Sequence, residues 1–105
     1  MQTEFFEISK TKIGKVARFR IKGRISSSTS VRFARELNSA LSMGDNEMIL
    51  DMSGVQFLSS LGIRTILSTY KQCVATGGKL QITNPPPNVV NVLGIAALNT
   101  MLLEE

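Results

Sequence analysis

The 105-residue chain has no histidine, no tryptophan, one cysteine (Cys73) and only six aromatic residues, five phenylalanines and one tyrosine. Each scarcity excludes some chemistry. Without histidine, neither a Ser–His nor a Cys–His pair can generate an activated nucleophile. With no imidazole and one thiol, the donor set is too poor for a transition metal, so no metal site is expected. A lone thiol closes no internal disulfide and fits a reducing, cytoplasmic compartment. Neither GxGxxG nor GxxxxGK[ST] occurs, so no phosphate-cradling loop and no cofactor is expected. Acidic residues are few and dispersed. Asp45 reads as a turn residue, Asp51 as the end of a strand, and only Glu104 and Glu105 are adjacent, so sequence brings no carboxylates together for acid–base work. Met1 to Glu7 holds Glu4 and Glu7 and no long apolar run, which argues against a secretory signal. No segment approaches the ~18–20 uninterrupted apolar residues of a membrane span. The expectation is a cytoplasmic, non-enzymatic protein that works by binding another protein.

What is present suits a single domain over residues 1–105. Its 43% apolar content is ordinary for a globular chain and enough for one core. The net charge of +4 is uneven: nine of the twelve basic residues lie at or before Arg35, with only two acids, whereas three basic residues and six acids follow. Such asymmetry is compatible with a nucleic-acid or membrane surface. The preferred reading is solvated strand and helix faces, with no direct nucleic-acid partner. Arg18, Arg20 and Lys22 alternate with Ala17, Phe19 and Ile21, the pattern of a half-buried strand, and no aromatic is interleaved on the basic face for base stacking.

Along the chain, Thr3 to Lys10 reads as a strand and Lys12 to Lys15, with Gly14, as a hairpin connection. Val16 to Lys22 reads as a second, antiparallel strand ended by Gly23. Ser26, Ser27, Ser28, Thr29 and Ser30 form a polar loop rich in possible N-caps. Phe33, Ala34, Leu37, Ala40 and Leu41 then repeat with helical spacing up to Gly44. Met48, Ile49 and Leu50, apolar without alternation, suggest a central strand covered on both faces. A loop is expected from Ser53 to Ser59. The strongest helical stripe follows, Ile63, Ile66, Leu67, Tyr70, Cys73 and Val74, opposite Arg64, Ser68, Lys71 and Gln72 and ended by Gly77 and Gly78. Lys79 to Thr83 alternates as a strand, Val89, Val90 and Leu93 suit a short helix after three prolines, and Leu98 to Leu103 suits a last short strand. Alternating strands and helices imply parallel pairing with right-handed crossovers. The expected fold is therefore α/β, a mixed sheet with an antiparallel N-terminal hairpin and helices packed on it.

One segment stands out, running from Asp51 through Ser53-Gly54-Val55 and Phe57-Leu58-Ser59-Ser60-Leu61-Gly62 to Ile63. It leads from the central strand into the strongest helix, the end of an α/β sheet where sites commonly lie. A serine there can be an N-cap, worth typically ~1 kcal/mol. It can equally be a phosphorylation site, because a phosphate of about −1.5 to −2 charge is tolerated at the positive end of a helix dipole. Leu61 lies opposite the apolar stripe, so it is expected at the surface beside the serines. Cys73 lies on the stripe and reads as core.

This segment resembles the signature of STAS domains, specifically the bacterial anti-sigma factor antagonists: an acidic-apolar-Ser-Gly-Val-x-Phe-apolar run, a serine-containing pair, then Gly and an apolar stripe. Ile21-Lys22-Gly23-Arg24-Ile25, Gly77-Gly78-Lys79-Leu80, Asn84-Pro85 and Val92-Leu93 are similar to further family landmarks, so that the likeness covers roughly Val16 to Leu102. It implies a STAS-like mixed sheet and a protein that binds an anti-sigma factor, often a serine kinase with a histidine-kinase-like ATPase fold, and frees a sigma factor for transcription. In that family the kinase phosphorylates a serine and breaks the complex, and a phosphatase restores it. By position the resemblance puts phosphorylation on Ser60. It puts partner binding on Ser26, Ser27, Ser28, Ser59, Ser60, Leu61 and Gly62, with the loop continuing to Ser30. The chain departs from the family pattern in having Ser59 where many members have Asp before the phosphoacceptor, and Ser26 where the first turn usually ends in Asp. The family's C-terminal helix is expected to be short or absent. The alternative that the same resemblance implies is a STAS subunit of a membrane transport complex, such as a lipid-exporting ABC transporter; a small-ligand or nucleotide sensor is a further one.

Overall fold

The computed structural model describes residues 4–94. The first two strands, β1 (Phe6–Ile13) and β2 (Val16–Ile25), form an antiparallel hairpin in which Ile13 pairs with Val16. Its loop is therefore only Gly14 and Lys15, and Gly14 takes the positive φ (59°) that two-residue hairpins demand at the first position. The hairpin expected from Gly14 is present, but β1 starts later within the described residues and runs further than Lys10. Lys10 and Lys12 stay in the strand because they pair with Phe19 and Ala17.

After β2 come α1 (Thr29–Ser42), β3 (Glu47–Leu58), α2 (Ser60–Ala75), β4 (Lys79–Thr83) and α3 (Pro87–Leu93). The sheet order is β1-β2-β3-β4, with β2–β3 and β3–β4 parallel. The mixed α/β sheet with an antiparallel start is thus the fold the sequence implied. The helices α1 and α2 pack on each other and on the sheet, and α3 packs on β3. Phe19 and Ile21 of β2, Leu50 of β3, Phe33 of α1, Ile66 of α2 and Ile82 of β4 are all fully buried between them. Burying a side chain of this size is worth ~1.5–3 kcal/mol.

Several expectations are corrected. Gly23 does not end β2, which continues to Ile25. Its φ is +94°, and a Cβ there would stand 2.2 Å from the Phe5 carbonyl oxygen. The glycine admits a close crossing of the N-terminal segment, and Arg24 N–H donates to that same oxygen at 2.9 Å. The expected loop from Ser53 is strand as far as Leu58. The extended β2 supplies its partners, Gly54 to Lys22, Phe57 to Arg24 and Leu58 to Ile25, with register shifts that re-aim the chain. Asp51 accordingly lies inside β3, not at its end. It is buried, with Arg20 Nε and Arg18 Nη2 at 3.7 and 4.0 Å from its carboxylate. Burial raises its pKa, but hydrogen bonds from the Ser53 backbone and side chain, with Arg18 and Arg20, outweigh this and hold it below the usual range. On α2, Val74 is 49% exposed and falls off the apolar stripe. The serine loop is shorter than expected, because Thr29 and Ser30 are already helical. The strand expected over Leu98 to Leu103, and the question of a C-terminal helix, lie outside the described residues.

Asp45 is fixed in the turn before β3. Its carboxylate is buried, and Lys10 and Lys12, from the hairpin edge, donate to its two oxygens at 2.6 and 2.5 Å. These two lysines hold its pKa below the usual carboxylate range, against the effect of burial. Cys73 is buried on α2, as the stripe implied, and burial pushes its thiol up.

Candidate functional site: the serine corner

The corner is built where β3 hands the chain to α2. Ser59 is extended (φ −79°, ψ 167°), and its side chain accepts from the Gly62 N–H at 3.2 Å, so Ser59 is the N-cap of α2. Its own N–H donates to the Ile25 carbonyl at 2.8 Å. The helix start is thereby tied to the end of β2, whose Ile25 is paired with Leu58. Gly62 completes the joint: a Cβ there would lie 2.6 Å from Leu58 Cδ1 and 2.8 Å from Ile25 Cγ2. Named in the sequence as a partner-binding residue, Gly62 is buried. It offers no side chain to a partner and instead lets the first turn of α2 sit directly on two core residues.

Ser60, the first residue of α2, is exposed, and among the described residues its hydroxyl has no hydrogen-bond partner. The two serines are thus chemically distinct: one caps the helix while half-buried, the other presents a free hydroxyl. Leu61 is 41% exposed beside it, as expected from its place opposite the stripe.

The second half of the corner is the turn from β2 into α1. Ser28 occupies the N-cap position but makes no side-chain cap bond. Ser26 does the capping, since Thr29 N–H donates to its hydroxyl at 3.3 Å and Ser26 N–H donates to Thr29 Oγ1 at 2.8 Å. Ser26 and Ser28 donate their own hydroxyls to Glu4 Oε1 at 2.6 and 3.0 Å. Arg24 Nε donates to Glu4 Oε2 at 3.2 Å. Hydrogen bonds from Ser26, then Ser28, with a smaller contribution from Arg24, hold the Glu4 carboxyl below its ordinary range. Ser27 is exposed, while Ser30 is buried and donates to the Ser27 carbonyl at 2.9 Å.

Three members of this surface escaped the sequence reading: Glu4, Arg24 and Phe57. The Arg24 guanidinium lies 4.5 Å from the centroid of the Phe57 ring, which is 39% exposed. Arg24 and Phe57 stand on strands β2 and β3, at positions whose local sequence carries turn and loop signals. Glu4 had a usable signal, because the antiparallel register pairing Phe6 with Gly23 carries the preceding residues back toward the serine turn.

The corner as built is a surface, not a cleft: a rigid strand-to-helix joint that presents a free hydroxyl, a leucine and a charged serine turn. Such a domain is an α/β module whose candidate site is an exposed surface. The sequence model of the STAS domain matches residues 7–103, and the chain belongs to that family. A candidate anti-sigma factor antagonist of Bordetella bronchiseptica, BtrV, is 26% identical over 76 residues, 72% of this chain and 66% of BtrV. The aligned part thus spans just under two thirds of that relative. Among solved structures, the chain is similar to the Bacillus cell fate determinant SpoIIAA in its phosphorylated form (TM-score 0.77, 17% identity, 94% of this chain and 89% of that one). It is also similar to an anti-sigma factor antagonist from Mycobacterium paratuberculosis (TM-score 0.81, 16% identity, 93% and 83%). At these identities the likeness establishes the fold. Among the described residues no helix is long and apolar enough to cross a membrane.

Proposed function

We propose that this STAS protein is an anti-sigma factor antagonist: it binds an anti-sigma factor that is also a serine kinase through the serine corner, and phosphorylation of Ser60 releases it. The observation that carries this reading is the contrast between the two serines. Ser59 is engaged as the cap, while Ser60 is exposed with a free hydroxyl at the positive end of a 16-residue helix. A phosphoryl group there leaves the cap bond intact and converts a neutral contact into one carrying about −1.5 to −2 charge. In a partner interface that charge must be desolvated, which breaks the contact unless a cation faces it. A phosphatase that removes it resets the protein. Leu61, Ser26, Ser27 and Ser28 supply the remaining contact surface; the protein itself performs no chemistry.

The test is a pull-down from the source cell, followed by intact-mass measurement of the bait and tandem mass spectrometry of the peptide holding Ser59 and Ser60. The expected result is a small kinase as partner and phosphate on Ser60. Ser60→Ala should bind and take up no phosphate, and Ser60→Asp should bind about tenfold more weakly, ~1.4 kcal/mol. Phosphate on Ser59, or co-purification with a membrane transport ATPase in place of a kinase, would overturn the proposal.

A further inference from the structure

We infer that Arg64 is the internal counter-ion of phosphorylated Ser60, closing an ion pair along the first turn of α2; the inference deepens the switch proposed above and rests on it. Ser60 and Arg64 are four residues apart on one helix, so their side chains are neighbours on the same face. Both are exposed. Arg64 is uncommitted, making no ion pair or hydrogen bond among the described residues. Three other arginines are engaged elsewhere, Arg24 with Glu4 and Phe57, Arg32 over Phe6 and Arg20 near Asp51, and Arg35 is exposed on another helix, α1. Nothing on α2 competes for Arg64, because the helix from Ser60 to Ala75 contains no acidic residue. The neighbouring Thr65 hydroxyl is spent on the Leu61 carbonyl at 3.1 Å.

The order of the pair is the favourable one, with the anion N-terminal to the cation and therefore at the end of the helix where the dipole also stabilises it. A phosphoserine brings three acceptor oxygens, and a guanidinium meets them with two parallel N–H donors. An unmodified serine hydroxyl gives Arg64 no such partner, so the guanidinium stands free until the phosphate arrives. Phosphorylation then alters two groups of the corner at once. It adds an anion at Ser60, and it turns Arg64 inward along its own helix, away from any carboxylate a partner would offer.

The pairing is tested without a kinase by inserting phosphoserine at position 60 of the full chain during translation with a suppressor tRNA, then titrating its phosphorus NMR signal. The second ionisation should fall below the ~6 of a free phosphoserine. Arg64→Gln should raise it by about half a pH unit or more, and Arg64→Lys should retain most of the depression. In the same proteins, phosphorylation should raise the melting temperature of the parent more than that of Arg64→Gln. Coincident titration curves for parent and Arg64→Gln would overturn the pairing while leaving the switch at Ser60 standing. Absence of phosphate from Ser60 in the cell would instead overturn the switch and remove the pairing's role with it.

Discussion

The two adjacent serines should separate cleanly in stability. Ser59→Ala removes the acceptor for the Gly62 N–H, a bond of 3.2 Å at a buried residue. Loss of an N-cap serine costs typically ~1 kcal/mol. An N–H left unpaired at a buried site adds to that, because its desolvation is no longer repaid. The expected cost is about 1.5 kcal/mol, which in a domain of this size lowers the melting temperature by roughly 6–10 °C. Ser60→Ala should do nothing of the kind. Its hydroxyl has no partner, it is exposed, and alanine is a slightly better helix former, so the change should stay within about 0.5 kcal/mol. Urea unfolding followed by circular dichroism at the helix band measures both. Equal midpoints for the two variants would refute the division of labour between cap and free hydroxyl, and with it the structural reason for placing the switch on Ser60.

Leu61→Asp should weaken partner binding tenfold or more in a calorimetric titration while leaving the melting temperature nearly unchanged, because Leu61 is 41% exposed. If binding survives and is lost instead on changing Arg18 and Arg20, the strand face is the interface. Asp45→Asn should cost about 2 kcal/mol, since one of the two lysine hydrogen bonds to the buried group loses its acceptor and the other loses its charge, with the contribution of Lys12 discounted because its side chain is 52% exposed. Because the folded-state pKa of Asp45 is depressed, its contribution is fully present above the unfolded value of ~3.9 and disappears as pH falls through the lower folded value. The acid limb of a stability–pH curve should therefore flatten in the asparagine variant. Gly23→Ala should cost roughly 2–4 kcal/mol by urea unfolding, because φ is +94° and the new Cβ would strike the Phe5 carbonyl oxygen.

Much of this arrangement is legible in the residues. The alternation of Ala17, Phe19 and Ile21 with Arg18 and Arg20, and the unbroken run from Met48 to Leu50, placed β2 and β3, and the spacing of Ile63, Ile66 and Tyr70 placed α2. What failed was punctuation. Gly23 and the Ser53-Gly54 step carry turn chemistry, yet both are strand, because each strand extends the other and the pairing absorbs the irregularity as register shifts. Asp51 moved from a strand end to a buried strand position for the same reason. Val74 left the stripe because six residues read as one face span more of the helix circumference than the sheet covers. The candidate serines were visible as a cluster, but the division between Ser59 as cap and Ser60 as free hydroxyl needed coordinates. The contribution of Glu4 to the serine turn becomes visible only when the hairpin register set by the Gly14 turn is followed back to Phe6 and Gly23.

The joint beneath the corner has a consequence for how information leaves the molecule. Ser59 hangs by its N–H from Ile25, and the missing Cβ of Gly62 seats the first helical turn on Ile25 and Leu58, both buried in the core. A hinge or a shifted helix here would have to break the Ser59–Ile25 hydrogen bond and part Gly62 from Leu58 and Ile25. On the proposed reading, a phosphate on Ser60 acts through its charge and through the turn of the Arg64 side chain, from a backbone platform that this joint holds in place. The potential of that charge is dimmed by mobile ions within a Debye length, ~8 Å at physiological ionic strength. A partner that tells the two forms apart should therefore discriminate most sharply in dilute buffer and progressively less as salt is added. A device that worked by moving its backbone would hold its contrast across the same range.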